Sequence, residues 1–122
     1  MPDAAELYER DFFLWTQEQG KRLREAAQHG LGLPLDWENL AEEIESLGRT
    51  DRRKLREHLT TIIEQLLGLE HSAASSLREQ WREGVQRTRR DAELLLKDSP
   101  SLRSDLPALV QIAFNTFARY TV

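Results

Sequence analysis

The chain of 122 residues contains no cysteine, which excludes disulfides, thiolate zinc sites, iron–sulfur clusters and thiol nucleophiles together. A chain this long buries about two-thirds of the surface its unfolded form exposes, so folding needs no such staple and is expected to be metal-independent. A long hydrophobic run is also missing. The most apolar stretch, Leu59 to Leu69, is interrupted by Thr60, Thr61, Glu64 and Gln65 and stays far short of the ~20 residues a membrane helix needs. The opening Met-Pro-Asp-Ala-Ala-Glu has no basic stretch and no apolar core, so no secretory signal is expected and the cytoplasm is the predicted location. An excess of positive charge is absent too. The net charge of −4 gives little general attraction for a polyanion, and nucleic acid is not the expected partner.

Motifs that carry chemistry are missing as well. No Glu-x-x-His pair occurs anywhere, which argues against a carboxylate-bridged dimetal bundle. There is no Gly-x-Ser-x-Gly elbow. Gly30 and Gly32 lack the Gly-Lys-Ser/Thr ending of a phosphate loop. Glu57, Glu64 and His71 do repeat every seven residues along one helix side, while His29 and His58 sit at a helix end and a helix flank. On these residues the expectation is no cofactor and no metal, and no catalytic set can be assigned.

What the chain does have is helix signals. Asp3 and Glu6 form a capping box for a first helix whose stripe is Tyr8, Phe12, Trp15, Gln19, Leu23 and Ala26. His29-Gly30-Leu31-Gly32-Leu33-Pro34 ends it. Asp36 caps a second helix, with Leu35 and Leu40 spaced as a hydrophobic staple and Trp37, Leu40, Ala41, Ile44 and Leu47 as its stripe. Gly48 either ends or bends that helix. A third, about Asp51 to Leu69, carries Leu55, Leu59, Ile62, Ile63, Leu66 and Leu69, and Leu59, Ile62, Ile63 and Leu66 are expected at the centre of the core. Ser72 to Ser76 reads as a loop. Ser76 with Glu79 opens a fourth helix with Leu77, Trp81, Val85, Thr88, Ala92, Leu95 and Leu96 on one face, and Asp98-Ser99-Pro100 stops it. A fifth carries Leu106, Leu109, Val110, Ala113, Phe114 and Phe117. Ser104 is its expected cap, which puts Pro107 in the first turn, after a short turn at Ser101 to Arg103. The predicted fold is all-α: one domain over residues 1–122, a compact antiparallel bundle of four to five helices with short loops.

Three segments together are familiar: Tyr8-Glu9-Arg10-Asp11-Phe12 with Trp15, the block Leu35-Asp36-Trp37-Glu38-Asn39-Leu40-Ala41-Glu42-Glu43-Ile44-Glu45-Ser46-Leu47-Gly48, and Asp98-Ser99-Pro100-Ser101-Leu102. With them the chain resembles domain-of-unknown-function family 29, small bacterial helical proteins, from about Tyr8 to Tyr120. The resemblance implies a compact helical fold of bacterial origin and carries no activity or catalytic residues. It departs at Leu69-Glu70-His71-Ser72-Ala73, where the family often has an aromatic-rich stretch.

The cations are 14 Arg against three Lys, which suits fixed ion pairs with the 21 carboxylates. On the fourth helix Arg78, Arg82, Arg87, Arg89 and Arg90 alternate with Glu79, Glu83, Asp91 and Glu93 instead of forming one stripe of one sign. The acidic stretch before Gly48 and the basic stretch Arg49, Arg52, Arg53, Lys54 and Arg56 after it are expected to meet at a corner and neutralise each other. The expected role is a protein-interaction or regulatory module that docks another protein or itself. An enzyme or small-ligand binder built from scattered Glu, Arg and Trp is the alternative, with nucleic-acid binding through the Arg-rich helices behind it. If a groove exists, it is expected between the second and fourth helices, around Trp37, Glu42, Glu43, Trp81 and Arg82.

Overall fold

The computed structural model describes residues 3–30, 32–71 and 75–120. Among the described residues five α-helices follow one another, α1 (Ala4–Arg10), α2 (Phe12–His29), α3 (Trp37–His71), α4 (Ser75–Asp98) and α5 (Leu106–Tyr120), with a 3-10 helix at Pro100–Asp105 before the last. They pack as an all-α bundle with no strand among the described residues, as the periodicity predicts.

The ends obey the expected local chemistry. The Asp3 carboxylate accepts from Glu6 N–H at 2.8 Å, Asp36 accepts from Asn39 N–H, and Gly30 adopts the left-handed conformation (φ 58°) that closes α2. Pro100 opens the 3-10 helix, and Pro107 lies in the first turn of α5, where its missing N–H costs nothing. The turn before α5 is therefore longer than Ser101 to Arg103, and the Ser104 hydroxyl bonds back to Ser101 C=O. α4 starts at Ser75, one residue before the expected cap, and Ser72 to Ala74 of the expected loop lie outside the described residues.

Two helix boundaries differ from the sequence reading. The expected first helix is two, broken at Asp11, and the expected second and third are one helix of 35 residues, about 50 Å long. Gly48 neither ends nor bends into a new helix. A Cβ at Gly48 would strike the Thr16 hydroxyl and the Phe13 ring, so this glycine is where α2 comes closest. The ~1 kcal/mol of helix propensity it sacrifices is offset by packing.

α3 is the spine. Thr16 lies against Gly48 and Gly20 against Glu45, so α2 runs antiparallel along its first half. Gly84 lies against Gln65 and Trp81 against Gly68, so α4 runs antiparallel along its second half. α5 covers that second half too, but in parallel, since Asp105 pairs with Arg52 while Ile112 and Thr116 share a cleft with Thr60 and Glu64. The core follows this crowding: Leu55, Ala92, Leu96, Leu102 and Leu109 are buried together, flanked by Phe13, Leu59, Leu95 and Leu106. The expected centre is thus displaced toward Leu55. Leu59, Ile62 and Ile63 are half-buried, and Leu66 is 49% exposed.

The starts of α2 and of the 3-10 helix exchange caps just beyond the end of α4, at the level of Asp51. Asp11 accepts from its own helix at Leu14 N–H (3.0 Å), and from Ser101 N–H and hydroxyl (2.8 Å each). Ser99, fully buried, accepts from Phe13 N–H at 2.9 Å. Two of the three segments that carry the family resemblance are joined by these bonds.

Candidate interaction surface

The first half of α3, Trp37 to Gly48, has α2 on it, while α4 and α5 both lie along the other half. This hairpin has two unlike sides. One is marked by Arg24, which reaches Glu38 (2.7 Å), Glu42 (3.4 Å) and Glu45 (2.8 Å), with Arg49 closing on Glu42 at 2.5 Å. The hydrogen bond to Glu45 and the field of the three carboxylates hold Arg24 still more firmly in its charged form.

The other side is apolar. On α3, Trp37, Leu40, Ile44 and Leu47 follow at helical steps on the flank of the contact line opposite Glu42 and Arg49. On α2, Trp15, Gln19, Leu23 and Ala26 do the same on the flank opposite Arg24. The two rows share a side, because Phe12, which extends the first, and Asp51, which extends the second, line one cleft. Leu40 is 40% and Leu47 51% exposed, and Trp15, Leu23, Ala26, Trp37 and Ile44 are half-buried. Leu35 and Leu40, the expected staple, are both exposed at the tip. In this half the buried hydrophobic side chain is Ala41. Tyr8, Phe12 and Trp15 continue the apolar side as an aromatic cluster, with centroids 5.0–5.8 Å apart.

The five residues expected to line one groove are not brought together. Trp37 and Glu43 border the apolar side of the hairpin, and Glu42 belongs to the charged side. Trp81 packs against Gly68, roughly 45 Å along α3 from Trp37, and Arg82 is exposed beside it. The separation follows from the unbroken helix through Gly48, which carries the two ends apart instead of folding them together.

The same continuity removes the expected corner between acidic and basic stretches. Arg49–Glu42 is the ion pair that crosses Gly48. Arg24 meets Glu38 and Glu45, Glu43 has no ion pair among the described residues, and Arg52 pairs with Asp105 at 3.2 Å. Arg49, Arg52, Arg53 and Arg56 line a small cleft of about 190 Å³ with Leu109. A larger open cleft of about 480 Å³ runs between α3 and α5 past Arg56, Glu57 and Glu64. Glu64 and Glu57 are exposed there, and the His71 side chain, third in that row, lies outside the described residues. A third cleft holds Tyr8, Glu9, Phe12, Asp51 and Asp98. Burial raises the Asp51 carboxyl above its ordinary value of 3.8, Lys54 opposes, and Asp98 adds to the rise. Among the described residues no group of three His, Asp or Glu is arranged to hold a metal, and no helix is long and apolar enough to cross a membrane. Val110 and Phe114 leave a further apolar stripe exposed on α5, and the Phe117 side chain, next along it, lies outside the described residues.

Sequence reasoning missed Asp11, Ser99 and Ser101 as a unit, since their bonds span 86 to 90 positions. It found the apolar rows but assigned them to the core. No curated protein matches the chain, and no solved structure matches it. Residues 7–121 match the family model described as Domain of unknown function DUF29, and the chain belongs to that family.

Proposed function

We propose that the chain is a protein-docking module whose working surface is the apolar side of the α2–α3 hairpin. The observation that carries this reading is that Trp15, Leu23, Trp37, Leu40, Ile44 and Leu47 form one side of a two-helix arm and none of them is buried. A contiguous apolar side of this kind, rimmed by charge, marks an interaction surface, and half-buried Trp is the residue type that anchors one. The test is site-specific photo-cross-linking in cells that express the chain natively. A photoreactive side chain at Leu47 should give discrete protein adducts that disappear when Leu40→Glu is added. One at Arg90, exposed on α4, should not give them. No adduct at Leu47, or the same adducts from both positions, would overturn the reading.

A second reading, a small-ligand or nucleic-acid site, is supported by the cleft of Arg49, Arg52, Arg53 and Arg56. Two of these four are already neutralised by Glu42 and Asp105, which weakens it. Micromolar, salt-sensitive binding to mixed DNA and RNA that vanishes with Arg53→Gln and Arg56→Gln would promote it.

A further inference from the structure

We infer that the partner of the hairpin's apolar side is a second copy of this chain, related by a two-fold axis parallel to the helices, so that two hairpins close into a four-helix bundle. The inference rests on the docking reading and names its occupant. Three observations carry it.

The first is area. The chain exposes 8584 Å², whereas a globular monomer of its 14.2 kDa exposes roughly 6,800 Å². The excess, spread over the whole surface, is more than the ~800 Å² per partner that a stable interface takes up, and the exposed Leu35, Leu40 and Leu47 put part of it on the hairpin.

The second is shape. A two-helix hairpin apolar on one side is half of a four-helix bundle. An axis parallel to the helices sets α2 of each copy on α3 of the other, so every helix has antiparallel neighbours. A single patch then serves both subunits, as a closed two-fold interface requires.

The third is charge at the rim. Arg22 lies at the outer edge of the apolar row on α2, and Glu43 at the outer edge of the row on α3; both are exposed. Neither forms an ion pair among the described residues. The pairings of Thr16 with Gly48 and Gly20 with Glu45 put Arg22 and Glu43 at the same height along the hairpin. Rotation about an axis parallel to the helices preserves that height and exchanges the edges. Glu43 therefore faces the partner subunit's Arg22, and the pair occurs twice. The other face-to-face arrangement, with the axis perpendicular to the helices, stacks α3 on α3 and sets acidic edge against acidic edge.

The experiment is sedimentation equilibrium on the full chain, with circular dichroism to confirm folding. The expected mass is twice that of the chain, and Leu47→Glu should raise the dissociation constant by at least about a hundredfold. Glu43→Arg and Arg22→Glu should each raise it by about tenfold, since symmetry repeats the reversal, and the double exchange should recover most of that loss. A monomer at all micromolar concentrations overturns the second-copy inference, and the docking reading then stands or falls on the Leu47 adducts alone. A dimer unaffected by Leu47→Glu overturns the surface. A dimer that Leu47→Glu dissociates, but whose double exchange gives no recovery, overturns the proposed axis.

Discussion

Gly20 and Gly48 both stand where α2 and α3 come closest, yet a methyl group should do different things at each. At Gly48 the added carbon meets the Thr16 hydroxyl and Phe13 ring. Thr16 is fully buried and held by its 2.6 Å bond to Phe13 C=O, so the helices themselves must part. Overpacking of that kind costs ~1–3 kcal/mol, more than the ~1 kcal/mol of helix propensity that Ala returns. Gly48→Ala should therefore lower stability in a urea titration. At Gly20 the added carbon meets Cγ and Cδ of Glu45, a partly exposed side chain that can turn away by loosening its pair with Arg24, a cost that the gain in helix propensity offsets. Gly20→Ala should fall within about 1 kcal/mol of the parent. Asp51 offers a test by pH. Its carboxyl is raised mainly by burial and further by Asp98, so the folded state holds the proton more tightly than the unfolded chain does. Stability from this group then falls as pH rises from the ordinary 3.8 through the higher folded value. Asp51→Asn should flatten that decline and leave a slightly higher Tm at pH 7. A lower Tm at neutral pH would show that the charge is favourable where it stands.

At the scale of elements, the exchanged caps are the joint that fixes α2 against the end of α4. Removing the Asp11 carboxylate leaves Leu14 N–H and Ser101 N–H without their acceptor in a part-buried place. A lost cap costs ~1 kcal/mol and an unpaired buried donor ~1–3 kcal/mol. Asp11→Ala should thus destabilise by ~2–4 kcal/mol. A double-mutant cycle with Ser101→Ala should show coupling above ~0.5 kcal/mol, as residues sharing bonds do; additivity would mean the joint is incidental. The helices' existence and most of their ends were legible, because caps such as Asp3, Asp36 and Gly30 act within a few residues. The break at Asp11 was not, since its justification lies 90 positions away and the apolar stripe runs through it. Nor was the continuity through Gly48, whose reason is a neighbour on α2. Of the candidate surface, Trp37 and Glu43 were legible as residues. Their separation from Trp81 was not, because it depends on which half of α3 each helix covers.

The whole molecule divides along α3 into a body with a core and an arm without one. The body buries Leu55, Ala92, Leu96, Leu102 and Leu109 together, whereas the arm buries Ala41. Two effects compete over α3. Its unbroken hydrogen-bond ladder favours unfolding as one unit. The unequal burial favours fraying of the arm while the body stays intact, because local stability follows buried apolar contact. Besides Ala41, an isolated two-helix hairpin has only half-buried apolar side chains and the exposed Arg24 ion pairs, which add little at such exposure, to offset its conformational entropy. Burial should win. Native-state hydrogen exchange at dilution should find the amides of Leu40 to Leu47 exchanging on the order of a hundredfold faster than those of Leu55 to Leu59 and Ala92 to Leu96. Because ligation of the folded form adds stability by mass action, raising the protein concentration should slow exchange in the arm first, as second copies cover its apolar side. Uniform protection along the whole of α3 at low concentration would mean the arm is held by the chain itself and needs no partner.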